Sequence, residues 1–503
     1  MRDRLLENLI KYPILFYIFY FIYTIRPPFK LMILSADKYE SLFHYGLILW
    51  GLIIVGYNFL TRREIFLGKN INFVIVWIIA SILTVISNIS YITMSSIKSI
   101  VLTILSILFF LIGYPLLRGK YSDTKIFKYI FYPVLAVKLL INSISIYLYL
   151  ANISIFVIRN NLLDFLGVRY VGITGNRYTP LLYGLYKDPN FTAMIGVSLI
   201  FISIYIYVSN KNALTYKEKV FIYISVFLEF VMVSFSNSRG ALYSIISVFF
   251  IILIIIILNR YRLKSLFSKF TMRKIIVVIC AMMLISVSYI GIQKIGFSLS
   301  QNSQFKRYIY AEQNNRFTRI FPSDLEQERF SKHKDWVLEY DETEGGENGG
   351  KIAITKEDSG EEIGNGRLTI WKDTLKLFLK KPIFGIAPEM QKKISLEKYE
   401  NLDIPSMKEG RSIHNSYLAV LLYYGIVGAL ILAVGIIRIL ILPFMDEVKN
   451  GYSPRSILFY GILFSLAVSF FLESIFVNID FEQIYLMFLL GVVTGYSKFK
   501  GGS

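Results

Sequence analysis

The sequence is poor in the residues that support several common kinds of chemistry. It has one cysteine, Cys280, and three histidines in 503 residues. One thiol cannot form an internal disulfide or a cysteine metal cluster, so Cys280 is predicted to be a small core residue of a helix. The acidic residues show neither a metal-binding cluster nor the carboxylate pair that glycosidases use. The sequence therefore predicts no metal and no cofactor.

Long apolar runs, in contrast, are abundant. Hydrophobic residues make up 55% of the chain and charged residues only 18%. Runs of about 20 apolar residues match the ~30 Å thickness of the hydrocarbon core of a bilayer. We therefore predict an all-α polytopic membrane protein with about 12 transmembrane helices. The predicted spans cover residues 12–25, 41–60, 71–87, 99–117, 126–150, 189–209, 220–236, 241–259, 275–295, 416–444, 456–476 and 479–497.

The net charge of +19 is distributed unevenly along the chain. Residues 297–413 hold 19 basic and 20 acidic residues, whereas the rest of the chain holds 35 basic and 15 acidic residues. The basic excess lies in short loops on one side of the predicted spans, as the positive-inside rule requires. This pattern indicates topology and no nucleic-acid partner. It predicts a multi-pass protein of the bacterial plasma (inner) membrane with both termini in the cytoplasm.

The predicted spans divide the chain into three parts. Residues 1–295 hold the first nine helices, with an outward loop near 151–188. Residues 296–415 form a large extracytoplasmic loop or lobe between the ninth and tenth helices, and 416–500 hold the last three helices. The final residues, 501–503, are expected to be a cloning remnant.

Two segments of the large loop have recognisable patterns. The stretch WVLEYDETEGGENGGKIAIT is typical of two short strands around a turn at Asn348-Gly349. The stretch GRLTIWKDTLKLFLKKP predicts a helix before Pro382. Its apolar residues recur at helical spacing and would lie either on the membrane surface or against the spans. They are Leu368, Trp371, Leu375 and Phe378.

A histidine stands at the start of the tenth predicted span, in the stretch RSIHNSYLAVLLYYGIVG from residue 411 to 428. In the predicted topology His414 lies at the outer membrane–water interface, where Asn415 or Ser416 can cap the helix. Imidazole exchanges protons near neutral pH, so this side chain can serve as a general base for a substrate hydroxyl. The alternative is an interfacial histidine that only caps the helix or extends toward the headgroups.

The spacing around His414 resembles a known signature. His414-Asn415 is followed by nine residues and then by Gly425 and Gly428, three apart. This resembles the signature of the O-antigen ligase and of the O-antigen and capsular polysaccharide polymerase superfamily, which are polytopic glycosyltransferases of the GT-C type. We interpret the two glycines as sites of close helix packing. Further matching positions are Arg239 in SNSRGA, Arg367, Trp371, Pro382 and Gly385 before the histidine, and Asp188, Pro189 and Asn190 in KDPNFTAM.

The resemblance implies a function for these residues. In that superfamily the donor is a glycan on a polyprenyl diphosphate, and the acceptor is a sugar hydroxyl of another lipid-linked glycan. His414 would be the base in an inverting, metal-independent transfer. Arginines would bind the departing diphosphate, because guanidinium groups form bidentate hydrogen bonds to phosphate. The candidates are Arg239 and Arg367, followed by Arg177 and Arg169, and the alternative for each is a solvated or headgroup-binding arginine.

Within this resemblance we favour a repeat-unit polymerase. The high content of Ile, Lys, Tyr and Asn is typical of low-GC bacteria, some of which lack an outer membrane. The alternatives are a ligase that transfers the glycan to another acceptor, a transporter or flippase of lipid-linked glycans, and a structural assembly partner. The expected partners are the bilayer, polyprenyl-diphosphate-linked oligosaccharides, and a chain-length regulator and flippase of the same pathway.

Ionisable residues within the predicted spans form a separate group. They are costly in hydrocarbon, and they either line a substrate cavity or form structural pairs. We favour the structural interpretation, with Lys and Arg side chains reaching the interface, and we predict no pairing between Glu229 and Arg239. The residues are Glu229, Glu473, Lys138 and Arg438, with Glu482 and His44 as further candidates.

Overall fold

The protein is predominantly helical. A computed structural model describes residues 12–25, 36–61, 69–112, 123–159, 162–173, 177–186, 189–262, 269–301, 306–313, 316–319, 367–450 and 454–472, together with residues 486 and 489. The helices in chain order are α1 (Pro13–Thr24), α2 (Ala36–Thr61), α3 (Lys69–Ser87), α4 (Met94–Ile107), α5 (Asp123–Leu150), α6 (Pro189–Asn210), α7 (Tyr216–Phe235), α8 (Arg239–Arg262), α9 (Lys269–Gln301), α10 (Arg367–Phe378), α11 (Gln391–Glu397), α12 (Pro405–Lys408), α13 (Ser416–Ile436), α14 (Leu442–Asn450) and α15 (Pro454–Leu472). Short π-helical turns extend α4 over Leu108–Ile112 and join α13 to α14 over Ile437–Ile441.

The apolar helices identify a polytopic membrane protein. Four segments of the described chain are both long and apolar enough to cross a bilayer, namely Lys125–Leu150, Thr192–Asn210, Ile275–Ser300 and Ser416–Ile436. Six shorter apolar helices accompany them within the described ranges. A helix overlaps each of the first eleven predicted spans. The twelfth, 479–497, falls almost entirely outside the described residues, so the count of twelve stays a prediction.

The spans differ greatly in how much protein surrounds them. In the most apolar stretch of α6, 83% of the residues are buried by other parts of the protein, whereas in that of α9 only 6% are buried. Helix α6 therefore lies at the centre of the bundle, whereas α9 lies at its periphery with apolar side chains directed at lipid. Cys280 lies on α9 and is exposed, so the prediction of a core cysteine is wrong.

A five-stranded mixed sheet accompanies the helices, so the all-α prediction is incomplete. Its strands are β1 (Ile153–Arg159), β2 (Leu162–Ile173), β3 (Arg177–Gly184), β4 (Lys306–Gln313) and β5 (Arg316–Arg319). The strand order is β3-β2-β1-β4-β5. The first three strands form an antiparallel meander after α5, and the last two form a hairpin after α9.

The two strand groups meet through one parallel pairing, between β1 and β4. Ile153 lies opposite Lys306, and Ile158 lies opposite Ala311. Local sequence patterns do not report a partner so distant in the chain, and for this reason they predict only a loop near 151–188. The predicted hairpin around Asn348-Gly349 lies outside the described residues.

Candidate functional site

His414 occupies a constrained position in the linker between α12 and α13. Its backbone φ is 49°, in the left-handed region, which costs a non-glycine residue roughly 1–3 kcal/mol. The residues on either side, Ile413 and Asn415, are 1% and 2% exposed. The His414 side chain itself is only partly buried. The buried neighbours therefore hold the backbone in a strained conformation while the imidazole stays accessible.

Side chains on two helices fix this linker. The indole N–H of Trp371, on α10, donates a hydrogen bond of 3.0 Å to the carbonyl oxygen of Ile413. The Trp371 ring packs edge-on against Phe471 of α15, with centroids 5.4 Å apart. On the other side, Asn415 Oδ1 accepts a 3.0 Å hydrogen bond from the Leu418 N–H and caps α13, as predicted. The backbone of the candidate base, His414, is thus fixed by hydrogen bonds of the residue before it and of the residue after it.

Nine residues into α13, the helix is broken at Gly425, where φ is 68°. We call residues 382–387 the wedge segment, because their backbone bonds to the groups that this break releases. Two N–H groups of the wedge segment donate to α13 carbonyl groups, and two α13 N–H groups donate to wedge carbonyl groups. The bonds are Ile386 N to Leu422 O at 3.0 Å, Ala387 N to Tyr423 O at 3.0 Å, Ile426 N to Pro382 O at 2.8 Å, and Val427 N to Ile383 O at 3.3 Å. The broken helix therefore leaves none of these four α13 groups unpaired.

Both sides of this joint require glycine. A Cβ atom on Gly425 would lie 2.2 Å from the carbonyl oxygen of Ile383, and one on Gly385 would lie 2.5 Å from the carbonyl oxygen of Leu422. Both glycines have positive φ. The prediction of close helix packing is therefore wrong for Gly425, which contacts the backbone of a loop. Gly428 faces the preceding turn of its own helix, where a Cβ would lie 2.2 Å from Cβ of Tyr424.

The wedge segment is also tied to the end of α3. Thr84 Oγ1 donates to the carbonyl of Phe384 at 2.9 Å, and Asn88 Nδ2 donates to the carbonyl of Gly385 at 3.1 Å. Lys381 Nζ donates to Asn88 Oδ1 at 2.7 Å. Burial, followed by the nearby charge of Lys398, lowers the pKa of Lys381. Sequence reasoning missed this anchor, because Thr84 and Asn88 are about 300 residues away in the chain.

Arg367 lies on the helix that is bonded to the His414 linker. It is the first residue of α10 and precedes Trp371 by four residues, so the two share one face of the helix. Because Trp371 bonds to Ile413, α10 connects the Arg367 position to the linker that carries His414. The Arg367 side chain is partly buried.

Arg239 is the first residue of α8 and follows a tight turn, as predicted. The turn contains Asn237, with φ at 52°. Ser238 Oγ accepts a 3.3 Å hydrogen bond from the Ala241 N–H and caps the helix. The Arg239 side chain is exposed. A guanidinium group at a helix N-terminus favours an anion, since the helix dipole adds positive potential there.

Comparison with protein families connects these elements. Residues 224–433 match the family model described as O-antigen ligase. The segment is therefore similar to that family, and we call residues 224–433 the O-antigen ligase domain. It runs from within α7 to within α13 and includes Arg239, Arg367, Trp371, His414 and Gly425. A comparison with curated proteins finds no match.

Other predicted site residues lie before the O-antigen ligase domain. Arg169 lies on β2 opposite Leu181, and Arg177 opens β3 opposite Ile173. Both arginines therefore belong to the sheet and not to an irregular loop. Asn190 lies in the first turn of α6, while Asp188 is outside the described residues. A role for these four residues at the site stays a prediction.

A buried charged network joins the O-antigen ligase domain to the preceding part of the chain. Lys138 Nζ, on α5, lies 3.7 Å from Glu229 Oε2, on α7. It also bonds to the Tyr186 hydroxyl at 2.6 Å, and that hydroxyl donates to Asn142 Oδ1 at 3.2 Å. All four side chains are at most 2% exposed. Lys138 therefore pairs inside the bundle instead of extending to the interface, and Glu229 pairs with Lys138 rather than Arg239.

The remaining ionisable candidates have other surroundings or lie outside the described residues. Arg438 is exposed in the π-helical turn after α13. The His44 ring stacks obliquely near that of Tyr23, with centroids 4.8 Å apart. Glu473 and Glu482 lie outside the described residues. In the part of the chain that the structure describes, no group of three His, Cys, Asp or Glu side chains could hold a metal ion.

Proposed function

We propose that the chain is a membrane glycosyltransferase that joins lipid-linked glycans. Its donor is a glycan on a polyprenyl diphosphate, and its acceptor is a sugar hydroxyl of a second lipid-linked glycan. The observation that carries the proposal is the 3.0 Å bond from Trp371 to the carbonyl of Ile413, because it connects the helix that begins with Arg367 to the linker that carries His414. Both residues lie within the O-antigen ligase domain.

The proposed transfer involves the His414 imidazole, the acceptor hydroxyl and the donor glycan with its diphosphate. A nitrogen of the His414 imidazole accepts the proton of the acceptor hydroxyl as its oxygen attacks the anomeric carbon of the donor. The bond from that carbon to the diphosphate oxygen breaks, and the diphosphate leaves with the electron pair. Attack from the side opposite the leaving group inverts the anomeric centre. The base contributes roughly 10²–10⁴ to the rate.

Arginines stabilise the negative charge that develops on the diphosphate. We assign this role first to Arg367, on the helix that holds the His414 linker, and to Arg239, at the exposed N-terminus of α8. Arg177 and Arg169 on the sheet are secondary candidates. A guanidinium group serves better than an ammonium group here, since its planar fork matches two phosphate oxygens.

The proposed setting is the outer leaflet of a bacterial plasma membrane, with both termini cytoplasmic. The distribution of basic residues supports this orientation, because the excess lies in alternate short loops. The sheet, α10 and His414 then lie on the extracytoplasmic side.

We favour a repeat-unit polymerase, in which the growing chain is donor and one new repeat is acceptor. The alternative is a ligase that moves the glycan to another acceptor, since the matched family includes O-antigen ligases. A transporter or flippase of lipid-linked glycans is the alternative from another class, and it would not need His414.

The test uses the purified full chain in lipid nanodiscs with lipid-linked repeat units as the sole substrate. A ladder of products by mass spectrometry supports a polymerase, and products only after a second acceptor is added support a ligase. His414→Ala should lower the rate by ~10²–10⁴. The matched control is His44→Gln, a histidine outside the O-antigen ligase domain. Full activity of a folded His414→Ala protein would overturn the proposed base.

Arg367→Lys keeps the positive charge but loses the bidentate geometry, so it should lower the rate while the protein folds normally. Arg411→Lys is the control, because Arg411 is exposed and already pairs with Glu409. Equal rates for both variants would remove Arg367 from the diphosphate site.

A further inference from the structure

The α10 helix has two apolar faces, and only one of them is covered by protein. Ile370 and Leu377 on the inner face are 5% and 0% exposed. On the outer face of α10, Leu368 and Leu375 are exposed at helical spacing, and this outer row continues beyond the end of the helix through Leu379 in the following turn and Ile383 in the wedge segment. Its members are Leu368, Leu375, Leu379 and Ile383, which are 55%, 42%, 69% and 58% exposed. We call these four residues the outer stripe.

The sides of the outer stripe are chemically different. Lys372 and Lys380 lie along one side, and both are exposed. Trp371 and Phe378 lie along the other, and both are partly buried against the core. An apolar ridge beside lysines with long aliphatic stems is typical of a helix that lies in a membrane interface.

Two contacts near the end of the outer stripe fix its height relative to the transmembrane helices. Lys381 Nζ donates a 2.8 Å hydrogen bond to the carbonyl of Ser87, the last residue of α3. The carbonyl of Ile383 accepts from Val427, which follows Ile426 of α13. Ile426 is 46% exposed and begins an outward apolar row that continues through Leu430 and Val434. The outer stripe is thus continuous with the lipid-facing surface of α13, and it lies at the level where α3 ends.

The length of the apolar helical stretch after Gly425 agrees with this height. The helical run that follows Gly425 continues through the π-helical turn into α14, and its first 20 residues, from Ile426 to Met445, precede the acidic Asp446. At ~1.5 Å per residue these 20 residues span ~30 Å, the thickness of the hydrocarbon core. The part of α13 before Gly425 then stands above the hydrocarbon, packed against α10. The wedge segment marks the boundary.

We propose that α10 lies in the plane of the bilayer surface, with the outer stripe inserted among the acyl chains and Lys372 and Lys380 at the level of anionic phospholipid headgroups. The lysines give the charge complementarity, and the continuity with α13 identifies the occupant of the apolar face as lipid. Because α10 also carries Arg367 and Trp371, lipid contact sets the height of the His414 linker above the bilayer. This last consequence rests on the proposed function, whereas the position of α10 does not.

Depth-dependent fluorescence quenching tests the proposal. The only native cysteine is removed as Cys280→Ser, and Leu379→Cys is labelled with the environment-sensitive dye NBD in the full chain. The matched control is Leu396→Cys, since Leu396 is a 46% exposed leucine on α11 outside the stripe. Leu430→Cys provides a reference within a span.

In nanodiscs of phosphatidylcholine and phosphatidylglycerol, lipids with a nitroxide high on the acyl chain should quench the label at position 379 several-fold more than the label at 396. Aqueous iodide should give the reverse order. Equal accessibility of 379 and 396 to iodide, with no lipid quenching at 379, would overturn the proposal. These readouts need no catalytic activity, so the glycosyltransferase assignment can fail while this proposal stands.

The role of the lysines has its own test. Replacing phosphatidylglycerol with phosphatidylcholine should reduce lipid quenching at 379, and Lys372→Gln with Lys380→Gln should remove that dependence on lipid charge. Quenching that is insensitive to phosphatidylglycerol in the parent protein would overturn the headgroup contact.

Discussion

Two junctions attach non-spanning parts of the chain to the helical bundle, and they are built from different groups. The wedge joint, between residues 382–387 and α13, consists of backbone hydrogen bonds around Gly385 and Gly425. The polar junction, between Tyr186, α5 and α7, consists of buried side chains around the Lys138–Glu229 pair. Backbone geometry at the first leaves no room for a substituent, whereas the second depends on matched charges. We therefore expect paired substitutions to restore the polar junction but not the wedge joint.

The largest effect is expected at the wedge joint. Gly425→Ala places a Cβ 2.2 Å from the Ile383 carbonyl oxygen, and left-handed φ adds roughly 1–2 kcal/mol. Disrupted hydrogen bonds to the wedge segment cost about 1 kcal/mol each. We expect a total loss of about 3–5 kcal/mol, measured by thermal unfolding in detergent, with poor recovery of folded protein.

Gly291→Ala is the control for Gly425→Ala. Gly291 lies in α9, and a Cβ there would have nothing within 4 Å. It should be neutral or slightly stabilising, because alanine favours helix over glycine by up to about 1 kcal/mol. Similar stability of the two variants would contradict the proposed role of the joint.

At the polar junction, the expected result depends on whether one or both charges are removed. Glu229→Ala leaves Lys138 buried without its carboxylate, and breaking such a pair costs about 3–5 kcal/mol. Replacing both residues, as Lys138→Met with Glu229→Leu, should recover most of the loss, since two apolar side chains need no partners. Unfolding curves of the single and double variants give the coupling energy.

A double variant no more stable than Glu229→Ala would show that the Lys138–Glu229 pair has a role beyond mutual neutralisation. A second-site replacement at Gly385 should not rescue Gly425→Ala in the same assay. Rescue there would erase the contrast between the two junctions.

A smaller effect is expected where a side chain holds the His414 linker. Trp371→Phe keeps the ring but removes the N–H that donates to Ile413. Loss of one hydrogen bond costs about 1 kcal/mol, so we expect up to about a tenfold fall in turnover with an unchanged fold. The comparison uses kcat and KM separately, because a linker defect should affect kcat. A loss confined to KM would contradict the positioning role.

Capping of α13 should contribute a similar or slightly smaller amount to stability. Asn415→Ala removes the acceptor for the Leu418 N–H and should destabilise the protein by about 1 kcal/mol. Asn415→Ser retains a capping oxygen and serves as the control. Equal melting temperatures for the alanine and serine variants would show that the cap is unimportant.

The smallest expected effect lies at the start of α7, far from both junctions. The hydrogen bond from Lys128 and then that from the Thr215 backbone lower the pKa of Glu218 below its usual value of 4.5. A lowered carboxyl pKa contributes stability above the unfolded value and loses it as the pH falls through the folded value. The melting-temperature difference between the parent protein and Glu218→Gln should therefore shrink as the pH falls below about 4.5. A difference that is constant with pH would contradict this assignment.

Local patterns predicted the features that depend on neighbouring residues. Apolar runs located the helices, and the cap at Asn415, the turn before Arg239 and the helix before Pro382 followed from short motifs. Contacts between distant segments were not accessible in this way. The break at Gly425 makes sense only with Ile383 and Gly385 beside it, and Lys138 appears as an isolated intramembrane charge until Glu229 and Tyr186 are placed next to it.

The parallel pairing of β1 with β4 constrains the order of biogenesis. Ile153 meets Lys306 only after about 150 intervening residues, including α6 to α9, have left the ribosome. Until then β1 exposes an open edge, which invites pairing with another chain. The sheet can therefore be completed only late in membrane insertion. Strand β4 reaches the same side of the membrane as β1 only when the four intervening helices are correctly placed.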